Sequence, residues 1–68
     1  MTDMELEAFA ARVRDACLKT VIEAYDDAGV QGLCAEGRWE AAVGALRALD
    51  VSRIVSDLQR SSGNPADH

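Results

Sequence analysis

Residues 29–50 read GVQGLCAEGRWEAAVGALRALD, and the reading of this stretch decides the fold. It holds the chain's only tryptophan, and Trp39, Ala42, Val43, Leu46 and Leu49 recur at three and four, the stripe of an amphipathic helix over residues 38–49. Ala41, Gly44, Ala45 and Ala48 put small surfaces elsewhere on that helix. A glycine in mid-helix costs about 1 kcal/mol relative to alanine, so Gly44 suggests that another element packs on it. Just upstream, Val30, Leu33 and Cys34 keep a helical spacing around Gly32, which predicts a short linking helix ended by Gly37, with Leu33 and Cys34 turned inward. Downstream the period changes phase. Val51, Ile54, Val55 and Leu58 face about a third of a turn away from the Trp39 stripe. A kink or break is therefore expected at Asp50, a candidate N-cap, with a helix resuming to about Arg60.

Towards the N-terminus, residues 4–28 contain neither proline nor glycine. Leu6, Phe9, Ala10, Val13, Cys17, Val21 and Ala24 define one apolar face of a long first helix. Thr2 and Glu5 have the spacing of a capping box, with Asp3 a rival N-cap. Leu18, Ile22 and Tyr25 lie in register on a second flank, rotated from the first, which predicts a further contact with a later helix or another subunit. Asp26, Asp27, Ala28 and Gly29 read as the stop, with Gly29 in the left-handed position. The fold class is all-α: a small antiparallel bundle of three to four helices, comprising a long first helix, a short linking helix and a third helix kinked or broken near Asp50. Residues 1–60 form one domain, and residues 61–68, with Gly63, Asn64 and Pro65, are expected to be a disordered tail.

Sixty-eight residues bury little of their surface, so a lone chain of this size is marginally stable. Only Phe9, Tyr25 and Trp39 are aromatic, which leaves the core to leucine, valine, isoleucine and many alanines. Seven Lys and Arg stand against twelve Asp and Glu, for a net charge of −5. Such a charge repels phosphate, so neither nucleic acid nor an anionic membrane is an expected partner, and neither of the last two helices is the basic recognition helix of a DNA reader. Cys17 and Cys34 are seventeen positions apart and fit no zinc or CxxC spacing. No signal peptide or membrane-spanning run is evident, and the expected location is cytoplasmic, with both thiols reduced.

The run Gly37-Arg38-Trp39-Glu40-Ala41-Ala42-Val43, continuing to Leu46 and Leu49, resembles the second half of a tetratricopeptide-type helical hairpin. The likeness covers residues 30–50, a single unit. It implies Gly37 as the turn, Trp39 as the aromatic wedge, Ala42 as the close-contact residue and Leu46 as a core position, with Leu33 facing them from the preceding helix. It also implies a protein-interaction role.

No catalytic constellation is visible. Trp39 is read in two ways, as the main core plug between helices or as an anchor for a partner. Cys34 with Glu36 and Trp39 marks an alternative, a small enzyme component or ligand-binding protein whose site forms between subunits, but the only histidine, His68, lies in the tail. The acidic residues Glu23, Asp26, Asp27, Glu36 and Glu40 show no spacing that would converge on a cation, and no cofactor or metal is expected. The first reading is a non-catalytic interaction module or small accessory subunit. Its partner-binding residues are Leu18, Ile22, Tyr25, Trp39, Val51, Val55 and Leu58, and its partner is a protein or a second copy in a homodimer.

Overall fold

A computed structural model describes residues 2–62. They form three α-helices, α1 (Asp3–Val30), α2 (Ala35–Arg47) and α3 (Val51–Ser62), with no strand among them. The expected all-α fold is present. The chain groups into two compact units: residues 15–49, which hold the later part of α1 with α2, and residues 2–14 with 50–62.

Helix α1 opens on a capping box. The Thr2 amide donates to Glu5 Oε1 at 2.9 Å, and the Glu5 amide donates to Thr2 Oγ1 at 3.1 Å, which satisfies two of the otherwise free first-turn donors. Thr2 is therefore the cap, and Asp3 already lies in the helix.

The C-terminal end of α1 corrects the expected stop. The helix continues through Gly29 to Val30, and the left-handed residue is Gly32, at φ +91°. The Leu33 amide bonds back to the Ala28 carbonyl and the Gly32 amide to the Gly29 carbonyl, each at 3.0 Å, the paired bonds of a Schellman ending. Gln31 also donates its side-chain amide to Asp27 Oδ2 at 2.8 Å. The reason for the extra turn lies in what it buries. Ala28 is one of two fully buried apolar residues among those described, so ending the helix before it would forfeit that contact.

No separate linking helix forms. Gln31 and Gly32 make the turn, and Leu33 and Cys34 are exposed rather than turned inward. Gly37 does not end a helix; it lies in the first turn of α2, where an added Cβ would stand 3.3 Å from Leu33 Cβ. With four residues between them in one compact unit, α1 and α2 make an αα-hairpin.

The predicted break at Asp50 is present. Helix α2 ends at Arg47, and Ala48 and Leu49 donate to the carbonyls of Gly44 (3.1 Å) and Leu46 (3.2 Å). Asp50 then caps α3: its Oδ1 accepts from the Ser52 amide at 2.9 Å, and its carbonyl accepts from Arg53 at 3.1 Å. Helix α3 includes Ser61 and Ser62, two residues past the expected end, and its Arg60 pairs with Asp57. The rest of the predicted tail, residues 63–68, lies outside the described residues. In the unit of residues 2–14 and 50–62, Phe9, Ala11 and Val13 of α1 and Ile54 and Leu58 of α3 are half-buried.

Two substitutions test these ends. Gly32→Ala places a Cβ at a positive φ and should destabilise the fold by about 1–2 kcal/mol in urea unfolding. Asp50→Ala should cost about 1 kcal/mol through the lost cap, with reduced helical ellipticity.

Candidate interaction surface

The hairpin closes on small residues. On α2 the residues at least partly withdrawn from solvent are Gly37, Arg38, Ala41, Ala42, Val43 and Ala45, most of them on one side of the helical wheel, with Ala42 only 2% exposed. On α1 the facing set is Cys17, Val21, Ala24 and Ala28, the last 3% exposed. Alanine at these positions lets two backbones approach closely but leaves long side chains nowhere to go except the flanks. Trp39 lies about a quarter-turn round from the alanine side of α2 and is 65% exposed, so it does not plug the core. Leu46, taken as a core position, is exposed as well.

Arg38 braces the turn end of this hairpin. Its guanidinium lies over the Tyr25 ring, 5.6 Å from the centroid, while its Nε donates to the Leu33 carbonyl at 3.2 Å. It crosses Gly29 so closely that a Cβ there would stand 2.9 Å from Cζ. One side chain of α2 thus holds the last turns of α1 and the connecting turn together. In the sequence Arg38 stands out only as a member of the run Gly37–Val43. Its position on the wheel beside Ala41, Ala42 and Ala45 was the available signal.

Five of the exposed large apolar residues of the hairpin collect on one side, while Val30 and Leu33 are exposed at the turn. Leu18 (53% exposed), Ile22 (54%) and Tyr25 lie on a flank of α1, and Trp39 and Leu46 on a flank of α2. Residue order runs in opposite senses around two antiparallel axes, so these flanks lie on the same side of the pair. Arg38, reaching from α2 onto Tyr25, marks that side. The other unit has its own exposed pair, Val51 and Val55, while Leu58 is half-buried.

The outer surface of α2, away from α1, carries an open notch of about 290 Å³ lined by Trp39, Glu40, Val43, Gly44 and Arg47. Gly44 is part of its lining, and a Cβ there would meet nothing within 4 Å, so no element among the described residues packs on Gly44 as expected. Neither Cys34 nor Glu36, the other members of the alternative enzymatic site, lines the notch; both are exposed on or beside the first turn of α2. Cys17 and Cys34 are both free thiols. Among the described residues, no group of three or more His, Cys, Asp or Glu is placed to hold a metal ion. No helix among them is long and apolar enough to cross a membrane.

No family model matches this chain, and no curated protein or solved structure matches it.

Arg38→Lys keeps the charge but loses the planar group over Tyr25 and Gly29. It should lower stability by about 0.5–1 kcal/mol in denaturant unfolding with little change in helical content.

Proposed function

We propose that this protein is a non-catalytic interaction module, or a small accessory subunit, that works by covering the apolar side of its α1–α2 hairpin with another protein surface. The observation that carries this reading is the row Leu18, Ile22, Tyr25, Trp39 and Leu46, all exposed, beside a helix contact made of alanine. Scattered exposed leucines are ordinary on a protein surface; five large side chains on one side of a two-helix unit are not. Full burial of one such side chain contributes about 1.5–3 kcal/mol, so a partner covering the row gains what the chain alone leaves unused. The tetratricopeptide-like run of residues 30–50 also implies a protein-interaction role, but it carries no weight here, because Gly37 lies inside α2 and Trp39, Leu46 and Leu33 are exposed.

The surface also has the make-up of a binding patch. Trp39 and Tyr25 are the residue types that dominate binding energy, and Arg38 holds Tyr25 in place before any partner arrives. Ordering that ring in advance reduces the entropy lost on docking. Charged residues at the edge, Lys19 and Glu23, pair with each other at 3.9 Å and remain in water.

The test compares the full chain with a Leu18→Ser/Ile22→Ser variant, in which both changes fall on exposed positions. Used as bait in extract from the native cell, the parent chain should retain a protein in stoichiometric amount, and the variant should lose it while keeping its helical circular dichroism. Equal recovery by both would refute the reading, as would no bound protein in either case.

A further inference from the structure

The notch on the outer face of α2 is self-complementary, and we infer that it docks against the same face of a second copy of this chain. The inference rests on the interaction reading above and uses the side of α2 facing away from α1, which shares Trp39 and Leu46 with that row. Along that face the helix is acidic at its start, with Glu36 and Glu40, and basic at its end, with Arg47. Glu40 and Arg47 make no ion pair among the described residues. They stand seven positions apart, two turns of one helix, about 10 Å and too far to neutralise each other directly.

An antiparallel copy of α2 removes that mismatch. With the two-fold axis midway between Val43 and Gly44, Glu40 of each copy stands opposite Arg47 of the other. The axis is fixed by arithmetic: 40 and 47 sum to 87, as do 43 and 44. An interface around a two-fold must pair residues reciprocally in this way. At the axis the two Val43 side chains meet, and the bare Gly44 positions, with open space where a Cβ would be, let the helices come close. On one side, Trp39 of each copy lies beside Leu46 of the other, so two exposed apolar residues are covered together. Glu36 falls one turn beyond Glu40, past the end of the second copy's α2, where it adds to the negative potential facing Arg47.

One pair of three-to-four-turn helices buries less than the roughly 1,200–2,000 Å² of a tight complex, so this dimer is weak and reversible. It leaves Leu18 and Ile22 open, free for the partner proposed above. Substitutions at Leu18 and Ile22 on one side, and at Glu40 and Arg47 on the other, therefore report on the two readings separately.

Sedimentation equilibrium of the full chain tests the docking. The parent should dimerise with rising concentration, and added salt should weaken the dimer by screening the Glu40–Arg47 pairs. Glu40→Arg alone and Arg47→Glu alone each create two like-charge contacts and should weaken the dimer by about tenfold or more. The double variant Glu40→Arg/Arg47→Glu restores both pairs with their signs exchanged and should recover the parent's association. All of these positions are solvent-exposed, and unchanged circular dichroism verifies the fold of each variant. A parent chain that stays monomeric at every concentration overturns the inference. So does a dimer that ignores both single substitutions, or a double variant no better than the singles. If Leu18→Ser/Ile22→Ser abolishes partner capture in the same series, the interaction reading survives that outcome.

Discussion

Close packing between alanines governs this structure. Ala28 and Ala42 are the two fully buried apolar residues among those described, and the wheel positions beside them are mostly small. Small residues draw two helices together with little side chain between them, and each buried methyl contributes only about 0.8 kcal/mol. Ordering a single backbone residue costs about 1–2 kcal/mol, so a contact of this kind needs reinforcement. Arg38 supplies it locally, spanning Tyr25, Gly29 and the Leu33 carbonyl. The turn adds more through Gly32 and the backbone bonds that end α1 over Ala28.

The same contact accounts for the surface. A hairpin closed on alanine cannot also enclose leucine, isoleucine and tryptophan, because the space between its axes is already taken. Those side chains are displaced to the flanks, and the antiparallel arrangement gathers them on one side. The functional reading follows from this geometry rather than from any chemical group. Apolar area that the hairpin cannot hide is available to another chain, and the glycine-lined face of α2 offers the close approach that the interior face has already used. Pairing of two copies and capture of another protein are then two uses of one hairpin, made through surfaces that meet at Trp39 and Leu46.

Much of this was legible from the residues. Thr2 and Glu5 declared the start of α1, Asp50 the start of α3, and the change of apolar phase after Leu49 the break between α2 and α3, because each signal is local and its partners lie within a turn. The Leu18–Ile22–Tyr25 flank was legible as well, since three residues in helical register need no tertiary information. What misled was weight given to size. Of the stripe Trp39, Ala42, Val43, Leu46 and Leu49, the fold buries Ala42 and half-buries Val43 and Leu49, but Trp39 and Leu46, which looked inward because they are large, are exposed. Two glycines competed to end α1, and Gly29 was the nearer. Gly29 instead lies inside the helix under Arg38, nine residues later, a contact that no local pattern reveals. Gly37 was misplaced for the same reason: a glycine packed against Leu33 in a first turn looks in sequence like a glycine in a loop.

Trp39 offers the most direct measurement, being the chain's only tryptophan and largely exposed. Its fluorescence, followed with light scattering as the protein is concentrated, reports on the surface itself. The account predicts a solvent-like emission from the dilute chain that shifts to the blue as mass rises. A monomer whose tryptophan already emits as a buried residue, or an emission unchanged while the mass increases, would contradict it.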